Sequence, residues 1–453
     1  MAPMRVRSLM CSMIALGLIA QALPVRADTF DPNYLISDYD FTDWAAMTMP
    51  EITQFLTNKG SALTRYVDRG TRQIAPQIIF DAAVIYQINP QVLLVLLQKE
   101  QSLIEDSLPS QDQYDWATGF AICDSCSKSD PGLQQYRGFA AQVDRAAWRL
   151  RYYLTNPVEF SFRTGNTYAI DGKLVTMAND ATRALYTYTP HLHGSENFVN
   201  IWRRWFAKLY PDGAILEDVH TKSLWLIQNG ERRKFTSRAI AASRVDLARA
   251  IRVSPIDLAR YDEGDPISFA QYSLLRSPRG TVYLLVGDTK RGFADRDALR
   301  TLGVNPEEIE DVGWDALNAI PEGQAITVQS AYPTGALIQD VTTGGVWYVQ
   351  DGVKHALIAR ELLARFQGKT IQRAKPDQLA QFTTGAPLTL TDGALMQRYG
   401  TDEVAVVSHG ARRSFSSLEA LEKLGYKKEH IVIVPEKVWN LHPAGEPMAS
   451  SSS

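Results

Sequence analysis

Cysteine is scarce in this 453-residue chain: there are three, and Cys11 falls in the N-terminal apolar run. The other two form Cys123-Asp124-Ser125-Cys126, with no second Cys or His cluster to complete the roughly four ligands of a structural zinc. Histidine is also sparse, seven in all. His191 and His193 lie two apart in PHLHG without carboxylates in register, which reads as a structural or glycan-contacting pair rather than a metal site. No metal and no cofactor is expected. Charge of one sign is lacking as well: 47 basic against 50 acidic side chains leave a net charge of -3, without the cationic field that nucleic acid needs. One stretch alone is apolar enough to interest a membrane, and it is N-terminal.

That stretch reads as an export signal: Arg5 and Arg7, an apolar core from Leu9 to Leu23, and small residues at -3 and -1 of Val25-Arg26-Ala27. Its core is shorter than the roughly 20 apolar residues of a span, so no stable membrane span is expected after processing. Losing Arg5, Arg7 and Arg26 leaves 44 basic residues against 50 acidic, a net charge of -6. The product is secreted or extracytoplasmic, in the periplasm or cell envelope. In that compartment the CxxC pair should oxidise. It sits in a polar loop, CDSCSKSDPG, rather than at the opening of a helix, which favours a loop-stapling Cys123–Cys126 disulfide over redox or metal chemistry.

The rest divides into two halves. From Asp28 to Tyr210 the pattern is helical and aromatic-rich; after Pro211-Asp212-Gly213 it turns into short β-branched runs broken by Gly and Pro. The second half repeats four times. Hairpins LWLIQNGERRKF, VYLLVGDTKRGF, VWYVQDGVKHAL and VAVVSHGARRSF precede glycines 264, 323, 385 and 445, spaced by 59, 62 and 60 residues. Each unit predicts a strand, a tight turn, a returning strand, a helix and a closing strand. Four units that cannot each bury both faces suggest a ring or stack, and a propeller-like closure would remove free sheet edges. No catalytic residue recurs among them. The returning strands carry Arg232, Arg233, Lys290, Arg291, Lys354, His355, Arg412 and Arg413, readable as a surface for a polyanionic or glycan partner or as solvated edge protection.

The sharpest signal in the first half is Asn89-Pro90, an N-cap followed by proline at the first helical position. The helix VLLVLLQKEQSLI is apolar on every face from Val92 to Leu97, and Glu100 arrives in its last turns. Low polarity and the helix C-terminus should raise its pKa towards that of a general acid; the bland reading is a helix-end Glu paired with Arg or Lys. The runs INPQVLLVLLQKEQSLI, WATGFAICDSC, YRGFAAQVDRAAWRLRYY and NDATRALYTYTPHLHG, in that order, resemble the lysozyme-like domain of the goose-type lysozyme and lytic transglycosylase group. The likeness covers about residues 75–206. It implies that Glu100 is the catalytic acid and that Tyr186 or Tyr188, with Tyr188 assigned the catalytic role, is the hydroxyl near the scissile bond. It also implies a sugar-binding cleft with Ala117-Thr118-Gly119-Phe120 as its floor and Trp116, Tyr136, Gln142, Tyr186 and His191 as further substrate-binding candidates. The group's usual GLMQ-like signature is replaced by GFAICDS, and no second carboxylate is declared among Glu105, Asp106, Asp115, Asp124 and Asp130.

The expected protein is α+β and multidomain: signal 1–27, helical extension 28–74, a mainly α lysozyme-like domain 75–212, and β-rich repeats 213–270, 271–329, 330–391 and 392–453. The expected function is cleavage of the MurNAc-GlcNAc β-1,4 bond of peptidoglycan strands, by a muramidase or lytic transglycosylase, with the repeats attaching it to a cell-surface polymer or partner. The rival is a non-catalytic envelope glycan-binding protein. Signal removal is checked directly: N-terminal sequencing of the exported protein should start at Asp28, and a chain still starting at Met1 in the membrane fraction would refute processing.

Overall fold

The computed structural model describes residues 30–122, 127–366 and 368–448. Both the export segment and the Cys123–Cys126 pair lie outside them. The architecture is α+β: a helical first half and a second half of several separate sheets. Eight α-helices make the first half, namely α1 (Asp38–Thr42), α2 (Met49–Asn58), α3 (Ala75–Tyr86), α4 (Pro90–Gln101), α5 (Gln111–Asp115), α6 (Phe139–Thr155), α7 (Asp180–Tyr188) and α8 (Leu192–Phe206). A two-stranded hairpin, β1 (Thr167–Ile170) and β2 (Lys173–Thr176), separates α6 from α7.

Helix α4 starts where the sequence marks it, with the Asn89 side chain accepting from Gln91 N at 2.8 Å. All six side chains from Val92 to Leu97 are buried. One apolar core runs from Leu35 to Phe206, so the segment before residue 75 shares it with the helices that follow. Polar bonds tie that segment down: Leu35 N donates to Thr182 Oγ1 at 2.9 Å and Asn179 Nδ2 to the Ile36 carbonyl at 2.7 Å, both buried.

Each repeat forms one mixed sheet. In the first, Ile215–Asp218 pairs antiparallel with Leu224–Gln228, which pairs antiparallel with Glu231–Lys234. A crossover then returns Ile251–Val253 parallel to the opening strand. The same order recurs with crossover strands Ile309–Asp311, Ile371–Ala374 and Ile431–Val434. The hairpin turns are as the sequence reads: Asn229-Gly230, Asp351-Gly352 and His409-Gly410 have positive φ at both positions, which a twisted two-residue turn demands. The opening strand of each unit, before the hairpin, was not anticipated.

The sheets are not antiparallel meander blades, and none closes into a barrel. The units nevertheless return on themselves. Gln228 meets Asp288, Arg291 meets Asp351, Leu362 joins the core of the fourth unit, and the first and fourth units share a core containing Leu216, Trp225, Leu395 and Val406. At that last junction a Cβ on either Gly213 or Gly393 would collide with the backbone of the other segment, so both positions exclude every larger residue.

The cations of the returning strands are spent within the fold. Arg233, Arg291 and Arg413 each donate Nε to the carbonyl of the residue after the unit's glycine (Asp265, Gln324, Glu446) at 2.8–2.9 Å, and His355 Nδ1 lies 2.8 Å from the equivalent Ala386 carbonyl. Lys290 and Lys354 reach carbonyls at the end of the short crossover helix, Leu317 at 2.9 Å and Leu379 at 2.7 Å. These contacts replace a free cationic face with a stitch between hairpin and crossover.

The two halves meet through a polar seat. Ile256 enters the first core, Asp257 Oδ1 accepts from Lys208 N at 2.8 Å, Arg260 donates to the Ala207 carbonyl at 3.0 Å, and Lys423 of the fourth unit pairs with Glu51 on α2. Burial first, then the nearby charge of Asp257, pushes the Asp40 carboxyl up from 3.8 to about 6, against the opposing pull of Lys208. A carboxyl with a raised folded pKa binds its proton more tightly folded than unfolded, so its ionisation costs stability above about pH 6 and that cost disappears as pH falls towards 4. Asp40→Asn should therefore stabilise the protein at pH 7.5 by about 1 kcal/mol, with the gain vanishing near pH 4. Thermal melts of both forms across that range check it, and a pH-independent difference would refute it.

Candidate active site around Glu100

Glu100 sits in the last turn of α4, its side chain a quarter exposed. Oε1 is 2.5 Å from Nζ of Lys99, which also donates to Thr189 Oγ1 at 3.0 Å. The lysine is itself nearly buried, at 8 % exposure. It fits because Gly194 on α8 has no side chain: a Cβ there would lie 2.8 Å from Thr189 Cγ2 and 3.5 Å from Lys99 Cε. The other carboxylate oxygen faces the turn after α5, where a Cβ on Gly119 would stand 3.4 Å from Oε2. Gly119 has φ +65°, a conformation that glycine adopts without steric cost. Two features of this residue thus agree, close approach and backbone.

Tyr188, the last residue of α7, donates its hydroxyl to the Thr118 carbonyl at 2.9 Å. Burial, and next the charge of Glu100, pushes its phenol above the ordinary range, so it stays a neutral hydrogen-bond donor. The structure thus assembles Glu100, Gly119 and Tyr188 from three separate stretches of sequence.

Gln142 is wholly buried on α6 and organises the turn from beneath. Its Oε1 accepts from Phe120 N at 3.0 Å and from Thr118 Oγ1 at 3.1 Å, while Nε2 donates to the carbonyls of Tyr136 at 2.8 Å and Phe120 at 3.2 Å. It holds the floor in place. Phe120 and Tyr136 stand edge to face, 5.2 Å between ring centroids, both part-exposed beside the turn. Trp116, a substrate-binding candidate, is buried, at 2 % exposure.

Two expected residues lie elsewhere. Tyr186 is fully buried, its hydroxyl donating to the Pro32 carbonyl at 3.0 Å, and burial pushes it up to about 12. His191 caps the start of α8 at the surface, its Nδ1 3.2 Å from Asp171. The alternation of core and cleft on a short helix separates Tyr186 from Tyr188 and is invisible in a run as aromatic as ALYTYTP.

The candidate second carboxylates are engaged with other groups. Glu105 pairs with Arg204 at 2.9 Å, Asp115 with Arg137 at 2.7 Å, Asp106 accepts from Leu108 N at 2.9 Å, and Asp130 from Gly132 N at 2.8 Å. Asp124 lies outside the described residues. Among the described residues no group of three or more His, Cys, Asp or Glu could hold a metal ion. The bland reading of a helix-end Glu paired with a cation is met by Lys99, the cation beside the candidate acid in QKEQ; sequence reasoning missed Thr189.

Residues 34–218 match the family model described as LasA, N-terminal domain. That stretch takes in the whole helical half and the opening strand of the first repeat. No curated protein matches the chain. Among solved structures, the periplasmic assembly from the ESX-5 inner membrane complex is 13% identical over 53% of this chain and 94% of that one. The EccB3 dimer from the ESX-3 core complex is 13% identical over 53% and 99%. The intact ESX-5 inner membrane complex is 15% identical, with 59% of that chain covered. All three have a TM-score of 0.14 and carry no argument about this fold. No helix among the described residues is long and apolar enough to cross a membrane.

Removing the Gln142 amide strands buried donors and acceptors of the floor, so Gln142→Ala should cost about 3 kcal/mol in urea unfolding. Tyr188→Phe loses one hydroxyl bond and should cost about 1 kcal/mol. Equal, negligible losses in both would refute the bonding described.

Proposed function

We propose that this is an extracytoplasmic protein acting on the cell wall, and that its helical half cleaves the glycan backbone of peptidoglycan at the MurNAc-GlcNAc β-1,4 bond. The observation that carries the reading is the position of Glu100: a part-exposed carboxylate at the end of a buried helix, against a glycine turn to which the neutral Tyr188 hydroxyl is bonded. The match to the LasA N-terminal domain, the export signal and the four-run resemblance to lysozyme-like domains point the same way.

In the proposed reaction the protonated Glu100 carboxyl donates to the glycosidic oxygen as the C1–O bond breaks, leaving an oxocarbenium-like sugar. Glu100, now a carboxylate, takes a proton from the incoming nucleophile. If that is water the product has a reducing end; if it is the muramic 6-hydroxyl the product is a 1,6-anhydro sugar. The repeats attach the protein to the envelope, which raises local substrate concentration without a new catalytic contact.

One observation favours a second reading. The short Lys99–Glu100 ion pair, with no other carboxylate recorded against Glu100 among the described residues, is also what a glycan-recognition groove without catalysis would keep. Digestion of purified peptidoglycan decides between them. The mature protein should release fragments with reducing or 1,6-anhydro muramic ends, and Glu100→Gln should reduce release at least a hundredfold while retaining wall binding. No release by the parent, with binding intact, would overturn cleavage in favour of recognition.

A further inference from the structure

An open groove of about 860 Å³ lies between the second and third repeats, within the roughly 300–1,000 Å³ of sites that hold small ligands. Its origin is visible in the register of the repeats. From Ile267 the chain takes five residues to Tyr272, and from Leu388 five to Gly393, but from the equivalent Ile326 it takes nine to Gly335. The four inserted residues widen the connection, and Val328, Gln329, Ser330 and Ala331 form one wall of the groove. The corresponding space between the third and fourth units is filled by Leu362 and its neighbours.

The aromatic residues of this groove are unusual. Tyr272 occupies the position held by Gly213, Gly335 and Gly393 in the other units, and it keeps the left-handed backbone of those glycines, with φ +67°. Tyr332 is also left-handed, with φ +55°. Bulky residues avoid this region because of steric strain, and such outliers concentrate at ligand sites. Tyr272 is 38 % exposed, and its hydroxyl is tethered across the gap to the Thr334 carbonyl at 3.3 Å. Tyr332 and Phe382 stand edge to face, 6.1 Å apart, on the third-repeat side.

We propose that this groove binds an uncharged, N-acetylated glycan strand, with the Tyr272 ring stacking on a sugar face. Glu308 is the one charged residue in its lining, and the neighbouring cation, Lys369, 5.6 Å from the Tyr272 ring centroid, is already committed to the Tyr272 hydroxyl at 3.3 Å and the Thr334 carbonyl at 3.1 Å, so the lining offers a polyanion no uncommitted cation. Amides of Asn305, Gln329 and Gln381 and hydroxyls of Thr301 and Ser330 suit sugar hydroxyl and acetamido groups, and exposed aromatic faces suit the apolar side of a pyranose ring. The proposal rests on the attachment role given to the repeats and locates it in one inter-repeat groove; it is independent of cleavage at Glu100.

Calorimetric titration of the mature Glu100→Gln protein with the N-acetylglucosamine hexamer tests it without turnover. Saturable binding is expected. Tyr272→Gly, which restores the residue of the other units, should weaken it at least tenfold with the melting temperature unchanged or raised; Tyr272→Phe should stay within about threefold. No binding by the parent, equal binding by Tyr272→Gly, or binding of a sugar-free stem peptide in place of the hexamer would overturn the proposal. Peptidoglycan cosedimentation separates it from the broader reading: sedimentation undiminished in Tyr272→Gly would overturn the groove as the seat of attachment while leaving attachment itself standing.

Discussion

Six consecutive apolar side chains, Val92 to Leu97, have to be covered on every side, and the first half is arranged around that requirement. Helices α3 and α8 pack along α4, and the segment from Leu35 onward closes the remaining surface. A helix enclosed in this way delivers its last turn to the edge of the core rather than into solvent. Glu100 and Lys99 are therefore held where a carboxylate and an ammonium are neither fully hydrated nor fully buried, and each satisfies the other. The Gln142 amide does the corresponding work on the opposite side, using one side chain to fix the floor from Thr118 to Phe120.

The second half follows a different rule. Its units are small, and their sheets alone would leave hairpin and crossover weakly joined. The joint is a basic side chain laid over a glycine: Arg233 over Gly264, Arg291 over Gly323, His355 over Gly385 and Arg413 over Gly445. Any Cβ at the first three glycines would press on that side chain or its neighbours within 3 Å, while Gly445 leaves more room. This explains why glycine and a basic residue recur about 30 residues apart, and why counting basic residues gives a misleading impression of a binding surface.

Much of this was legible in the sequence. Asn89-Pro90 marks the start of α4, the Asn-Gly, Asp-Gly and His-Gly turns mark the hairpins, and the 60-residue period marks the units, because each is a local signal with a local cause. The helical and β-rich halves divide where composition changes. The site was legible only where chain proximity or resemblance supplied it. Gly119 and Tyr188 are brought to Glu100 by packing, Tyr186 turns inward on the same short helix, and Lys99 carries its role through a contact with Thr189 ninety residues away. The opening strands of the repeats were missed because runs such as AILED and SLLR are too short to show alternation.

The junction of Gly213 with Gly393 sets an order of events. Repeat arrays that stack openly can acquire structure one unit at a time as the chain becomes available, each new unit templated by the last. Here the first unit lacks a wall of its core until the fourth supplies Leu395, Val406 and Phe415, and the fourth also reaches back to Glu51 on α2. The fourth unit is thus needed to complete the first. A chain crossing a membrane N-terminus first would hold its first repeat with an open core until the fourth emerged, while the helical half and the middle units already had cores of their own.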